Sequence, residues 1–436
     1  MTASPISVLG TETANGHGVP VEQAHSEQAR HDERWADLER LRASHPMMDA
    51  VIDEVRGRRI RIGDHWLCDF ASCNYLGFDL HPAIIESVER ELWRWGTHPS
   101  WSRLLGSPRL YVEIEDQLTE LLGAPDSLVL PTITIIHTSV IPVLAGQGAV
   151  LVDAQAHKTI YEGAAIARGA GATLHRVRTN DYEHLEEILR SLPAGQSRMF
   201  CIDGVNSMTG NVPDLPTYAR ICREYDALLY VDDAHGFGVI GESPTAQRPY
   251  GLRGNSIVRY FGESYDNMVL VAGFSKSYSS LLAFLALPTS MKNHLKVAAA
   301  PYLYSGPSPT ASLATVLAGF KVNDAEGDEL RAALCRKSHR VLERISELGM
   351  RTLNSSGFPI IELPLGDGDD IDAVGRFLYD RGIYVTLAAY PLVPKSQVGF
   401  RVQVTAANGD DEIEQLNDTL SALVERFEMQ RAVTVS

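Results

Sequence analysis

The sequence predicts an α/β fold, with a large domain on a mostly parallel sheet and a smaller α+β domain after it. Three observations point there. From about Ser127 to Leu287, short apolar runs alternate with helical patterns. Several of those runs end in polar or small residues, as buried parallel strands do when they deliver side chains to a crevice at their carboxyl ends. Beyond about Pro309 the texture changes to long helices separated by a few strands.

Met1 to about Glu22 is rich in Ser, Thr, Gly and Pro and is expected to be mobile. From about Gln23 to Ala43 the pattern is helical, with Trp35, Leu38 and Leu41 forming an apolar stripe. A hairpin is expected at Arg59–Phe70, a loop at Asn74–Gly77 and an amphipathic helix at Pro82–Trp95. The strand runs are Ala149–Asp153, Met199–Asp203, Leu228–Asp232 and Val269–Ala272, with helices at His184–Ser191 and Thr217–Tyr225. The C-terminal part reads as two helices, Ala311–Asn323 and Leu330–Glu347, and then a strand at Pro359–Leu363. A helix at Ile371–Arg381, strands at Ile383–Thr386 and Phe400–Thr405 and a helix at Asp411–Phe427 complete it. These textures divide the chain at 1–68, 69–308 and 309–436.

Two closely associated domains suit 436 residues, and 44% hydrophobic with 22% charged residues is ordinary globular composition. A net charge of −16 argues against nucleic acid or an anionic membrane as the main partner, while a local basic pocket still admits an anionic substrate. The five cysteines are scattered without metal-ligand spacing, so they read as reduced thiols of a cytoplasmic enzyme with no metal. No signal-peptide pattern opens the sequence, and no apolar stretch reaches the ~20 residues of a membrane span.

Chemistry concentrates in two segments. Tyr230-Val231-Asp232-Asp233-Ala234-His235-Gly236 ends one apolar run with two carboxylates and a histidine. Ala272-Gly273-Phe274-Ser275-Lys276-Ser277 ends another with a lysine in a small-residue turn. Alone, Asp232-Asp233 could be a helix cap and Lys276 a surface residue. Together they can hold pyridoxal 5′-phosphate (PLP), the lysine as Schiff base and a carboxylate on the pyridinium nitrogen. His157 offers a ring that can stack on the cofactor, and Arg401 a planar fork suited to a carboxylate.

Further segments resemble the α-oxoamine synthases among the fold-type-I PLP enzymes, from about Asp69 to the last helix. Asp69–Gly77 is similar to a motif whose Asn lies near the substrate, which points to Asn74. Ala156–Gly163 resembles the segment whose His stacks on the cofactor, hence His157. Asp203–Gly210 resembles the one whose Ser bonds near the phenolic oxygen, hence Ser207. Asp232, His235 and Lys276 match the pyridine-nitrogen Asp, the phenolic-oxygen His and the Schiff-base Lys. Phe400–Ala407 matches the strand whose Arg grips the amino-acid carboxylate, hence Arg401. The resemblance implies a large domain with a seven-stranded, mostly parallel sheet. It also implies a homodimer with a shared active site. The reaction it implies joins an amino-acid carbanion to an acyl-CoA thioester with decarboxylation.

The sequence also departs from that pattern. Thr132-Ile133 stands where a Gly-aromatic pair is common, leaving Thr132, Ile133 and Thr134 to open a phosphate-binding helix. Gly273 replaces a Thr, so Thr132, Thr134 or Ser275 is expected to supply the missing phosphate hydroxyl. Tyr304-Ser305-Gly306-Pro307 lacks the usual Thr, with Ser305 reaching the cofactor from the second subunit. His98, Trp101 and Arg103 reshape a loop that is Gly/Ser-rich in the family and are expected at the substrate mouth. A changed mouth leaves open a different electrophile, S-adenosylmethionine as amino donor, or an aminotransferase or eliminase reaction. It suggests specialised metabolism.

Overall fold

Residues 35–432 are described in the computed structural model. The mobile segment expected at Met1–Glu22 and the first part of the Gln23–Ala43 helix lie outside them. Residues 35–44 form a helix, followed by three antiparallel strands: β1 (Glu54–Arg56), β2 (Arg59–Ile62) and β3 (His65–Asp69). The expected hairpin is the β2–β3 pair.

The large sheet contains β4 (Asp126–Leu130), β5 (Ala149–Asp153), β6 (Thr173–Val177), β7 (Arg198–Asp203), β8 (Leu228–Asp232), β9 (Met268–Gly273) and β10 (Ala283–Leu287). Its strand order is β4-β10-β9-β8-β7-β5-β6. β10 runs antiparallel to both neighbours, and every other pair is parallel. Successive side chains leave a strand on opposite faces. Phe200, Ile202, Leu229, Val231 and Leu270 therefore join one apolar core, while Met199, Cys201, Tyr230, Val269 and Val271 join a second. With both faces covered, the strands read as continuous apolar runs rather than alternating ones.

β11 (Ile360–Pro364), β13 (Thr386–Ala388) and β14 (Gly399–Gln403) form a smaller antiparallel sheet with β14 in the middle. β12 (Ile383–Tyr384) does not belong to it, because it pairs in parallel with β3. The single strand expected at Ile383–Thr386 is thus two, divided between two sheets at Val385. The N-terminal segment is consequently built into the C-terminal layer. The Arg376 guanidinium donates to Ser44 O (2.8 Å), and the Tyr384 hydroxyl donates to Met47 O (3.4 Å).

The two helices expected at Ala311–Asn323 and Leu330–Glu347 are one helix, Thr310–Glu347. Asp324-Ala325-Glu326-Gly327-Asp328 reads as a break because glycine and acidic residues interrupt the apolar pattern. The helix continues because Gly327 leaves room for a buried polar knot. Arg331, almost fully buried, donates to Gly238 O at 3.1 Å and Asn323 Oδ1 at 2.7 Å. A Cβ at Gly327 would lie 2.5 Å from Asn323 Oδ1 and 2.8 Å from Arg331 Nη2.

Among the described residues, no helix is long and apolar enough to cross a membrane. All five cysteines are free, four of them buried.

Gly327→Ala is expected to destabilise the protein although alanine is the better helix former by about 1 kcal/mol. Overpacking at this knot costs about 1–3 kcal/mol, read as a lowered denaturant midpoint at unchanged m-value. A raised midpoint would show that the knot relaxes freely.

Candidate active site

Asp232 ends β8 in the middle of the large sheet and is buried. Tyr230 and Asp232, two apart on a strand, share one face. That face is covered by the Ile133–Ala145 helix, whose His137 reaches both. Its Nε2 lies 2.9 Å from Asp232 Oδ2 and its Nδ1 2.9 Å from the Tyr230 hydroxyl. A carboxylate only accepts, so Nε2 carries a proton and donates to Asp232. The Ala234 N–H adds a bond to Asp232 Oδ1 at 3.0 Å. Burial opposes the charge on Asp232, but the bond and charge of His137, with Lys276 and the Ala234 amide, outweigh it and hold the carboxyl below the usual range.

The neighbouring Asp233 is in the opposite condition. It lies on the other side of the chain and accepts from the Ile257 N–H at 2.8 Å. Burial, reinforced by Asp232, pushes it up to about 8. Gly236 is needed beside it, since a Cβ there would lie 2.0 Å from Asp233 Oδ1. The two adjacent carboxyls are thereby separated into an ionised group facing the crevice and a neutral one pinning the following loop.

His157 caps the Lys158–Gly169 helix, its Nδ1 2.8 Å from the Thr159 hydroxyl. Its backbone N–H donates to Asp203 Oδ1 at 2.9 Å. Asp203 ends β7 directly beside Asp232 in register. Burial and the Asp232 charge raise its carboxyl well above the usual range. The His157 imidazole is lowered by burial and by the Lys276 and His137 charges, against the pull of Asp232. These residues therefore share one electrostatic site.

Lys276 follows β9 in a turn closed by bonds from Ser280 N to Phe274 O (3.0 Å) and Ser279 N to Lys276 O (3.0 Å). Tyr278 anchors the turn by stacking on Phe237 and meeting Phe274 and Phe320 edge-on. The lysine amine makes no hydrogen bond or ion pair with the described residues. Ser275 is exposed beside it.

Thr132 caps the Ile133–Ala145 helix, its hydroxyl accepting from Ile135 N at 3.3 Å. The Ile133 side chain is half-buried against the second core, and Thr134 is exposed. An ionised carboxylate, an unengaged lysine, an imidazole and an open helix start form a donor set that fits PLP.

The smaller sheet contributes Arg401. Its Nη1 donates to Ser207 O at 2.6 Å, and with the Gln403 amide oriented to satisfy its neighbours, Nη2 donates to the Gln403 side-chain oxygen at 3.0 Å. The Ser207 carbonyl, rather than its hydroxyl, makes this link. His235 is buried with Nδ1 2.8 Å from the Tyr75 hydroxyl. Burial, then the Lys276, Arg401 and His157 charges, lowers it far below the usual imidazole value. The Asn74 side-chain amide donates to Asp79 Oδ2 at 3.1 Å, a carboxylate also paired with Arg58.

The mouth residues form a separate group. His98 Nε2 lies 2.8 Å from Pro307 O, tying its loop to the Tyr304–Pro307 turn that carries Ser305. Trp101 is 57% exposed and Tyr304 80%. Among the described residues, no hydrogen bond joins His98, Trp101 or Ser305 to the Lys276 cluster. Arg103 corrects the expectation of a substrate-facing cation. It is buried, its Nη1 2.6 Å from Glu115 Oε1 and 2.8 Å from Val129 O, and its guanidinium lies over the Tyr111 ring. A guanidinium so enclosed keeps its charge matched by Glu115 and is not free for a substrate.

The sequence reading missed His137, Asp203 and Tyr75. His137 stands out only as a lone histidine in an apolar helix, and that alone is no signal. Asp203 carried one, as a carboxylate ending an apolar run like Asp232.

The raised Asp233 carboxyl binds a proton in the fold that it loses on unfolding. Its stabilising contribution is present below about pH 4 and is lost as pH rises toward about 8. Asp233→Asn is expected to flatten the fall in stability across that window, measured by denaturation at several pH values. An unchanged slope would exclude Asp233 as its source.

Comparison with known proteins agrees with this geometry. Residues 67–420 match the family model described as aminotransferase class I and II. An 8-amino-7-oxononanoate synthase from Ectopseudomonas mendocina (strain ymp) is 31% identical over 85% of this chain and 92% of its own. A serine palmitoyltransferase from Sphingobacterium spiritivorum is 28% identical over 84% of this chain and 88% of its own. A high-resolution structure of SPT with the PLP internal aldimine superposes with a TM-score of 0.82, at 22% identity, over 94% of this chain and 99% of that one, and it bears on the fold. The chain belongs to the class I and II aminotransferase family of fold-type-I enzymes, in its α-oxoamine synthase branch, and is a PLP-dependent transferase.

Proposed function

We propose that the chain joins the α-carbon of an amino acid to an acyl group delivered as a coenzyme A thioester, releasing the amino-acid carboxyl as carbon dioxide. The observation that supports this most is the buried, ionised Asp232 facing the same crevice as the unengaged Lys276. When bound, PLP supplies an electron sink for a carbanion at the amino-acid α-carbon.

The residues divide the work. Asp232 holds a proton on the ring nitrogen by charge, and His137 keeps Asp232 ionised. His157 would pack against the bound ring. The start of the Ile133–Ala145 helix, with Thr132, Thr134 and Ser275, takes the phosphate. Ser207 and His235 serve the phenolic-oxygen side, with Tyr75 fixing the His235 ring. Lys276 carries the cofactor and moves the proton at the α-carbon. Arg401 grips the substrate carboxylate and Asn74 stands near it.

Trp93, Trp101, Leu104, Leu105, Leu281 and Tyr304 are exposed large apolar residues. A second copy of the chain would cover them and bring Ser305 to the neighbouring site. His98 and Trp101 at that mouth favour a specialised acceptor, and S-adenosylmethionine joins the amino donors to be screened. Mass analysis of products from amino acids paired with acyl-CoA thioesters tests the reading. An amino ketone with released carbon dioxide is expected; a keto acid or an eliminated group would replace the reading with transamination or elimination.

Lys276→Ala is expected to abolish turnover, and Asp232→Asn to retain PLP but lose most of kcat. A fully active Lys276→Ala variant would overturn the mechanism. Trp101→Gly should leave the cofactor spectrum unchanged and alter kcat/KM for the acceptor about tenfold, equal to roughly 1.4 kcal/mol. Light scattering on the same variant separates acceptor choice from assembly, since loss of the dimer at normal kcat/KM would assign Trp101 to the interface.

A further inference from the structure

Glu362 lies midway along β11, an edge strand of the smaller sheet, wholly buried, and neither of its carboxyl oxygens has a hydrogen-bond partner. Its Cα partner across the β11–β14 ladder is Arg401, so the two side chains leave the sheet on one face. Thr386 stands beyond Arg401 on the same face. The Arg401 guanidinium turns its bonds to Ser207 O and the Gln403 side chain, not to Glu362. A buried carboxyl left without a partner costs free energy, most of all when ionised, so its charge depends on what the neighbouring guanidinium holds.

We propose that Glu362 is a proton-carrying partner of Arg401 that must be neutral for the guanidinium to take a substrate carboxylate. The inference rests on the reading that Arg401 grips that carboxylate. Arg401 alone would hold an anion by charge. An ionised Glu362 beside it would repel the same anion and compete for the guanidinium. A neutral Glu362 removes the repulsion and leaves the guanidinium free for the carboxylate. Anion binding therefore takes up one proton at Glu362 whenever the acid is ionised beforehand.

The surroundings put this change in the useful range. Burial pushes Glu362 up to about 7, against the pull of Arg401 and Arg351. Those two cations are the charged groups that act on it: Arg401 from β14 and Arg351 from the segment leading to β11. Thr386 on β13 carries no charge, and neither does the Gly204–Gly210 loop that meets Arg401. Glu362 thus acts as a positioning residue through Arg401, its own charge setting how strongly the guanidinium takes a carboxylate.

The test uses the PLP-loaded protein and propionate, a carboxylate without an amine, as competitor against the amino acid. Between about pH 6.5 and about pH 8.5 its affinity for the parent is expected to fall roughly tenfold, and calorimetry in two buffers of different ionisation heat at the higher pH should show proton uptake. Glu362→Gln should flatten that fall and remove that share of the uptake while keeping the cofactor's visible spectrum and its dependence on pH. A Glu362→Gln protein that keeps the full slope and uptake would overturn the proposal. Arg401→Gln separates the two levels. Weakened propionate binding there, with the slope retained in Glu362→Gln, defeats only the role of Glu362. Unchanged binding in Arg401→Gln defeats the carboxylate site and the inference with it.

Discussion

A carboxylate stays ionised in an apolar interior only if something holds its charge, and in this protein His137 holds Asp232. The restraint is geometric as well as electrostatic. One imidazole spans Tyr230 and Asp232 across a strand repeat, fixing the Ile133–Ala145 helix against β8. The position of that helix sets where its open N-terminus lies, and the same register places β7 so that Asp203 orients His157. Removing one member of such a buried pair costs about 3–5 kcal/mol, because the other is left uncompensated. The site's electrostatics and the packing of its most apolar helix are therefore one constraint.

The second domain enters through backbone as much as side chain. Gln403 N donates to Phe70 O and Ala406 N to Tyr75 O, so the strand carrying Arg401 is laced to the segment carrying Tyr75. Tyr75 in turn bonds His235 beyond β8. A displacement of the small sheet would thus be felt at His235 before it reached Lys276. This route explains why Arg401 and Lys276, more than a hundred residues apart, both bear on one buried imidazole.

Much of this was legible in the amino-acid order, and the reasons differ from residue to residue. Asp232 and Lys276 were readable because each interrupts the end of an apolar run. His137 was not, because nothing local distinguishes a histidine facing a carboxylate from one facing solvent; only strand register brings Asp232 opposite. Arg103 was misassigned for the same reason, since Glu115, its partner, sits on the next helix and Val129 on a strand beyond it. The Thr310–Glu347 helix was read as two because glycine scores as a breaker unless its neighbours need the space. Ile383–Thr386 was read as one strand because alternation cannot reveal that consecutive residues serve different sheets. Glu362 was invisible within a strand whose apolar character is otherwise complete.

The pairing of β3 with β12 has a consequence for how the chain is made. His65 and its acceptor, Tyr379 O, are 314 residues apart in sequence. Emerging from the ribosome, β3 has its β2 edge satisfied at once but presents its other edge bare until nearly the whole polypeptide has followed. β4 likewise waits for β10. Contacts of such long range slow folding, since the loops they close must be ordered before the pairing rewards it. The nascent chain therefore carries exposed strand edges through most of synthesis, and it is in that interval, rather than in the finished molecule, that this protein is most open to aggregation and most dependent on chaperones.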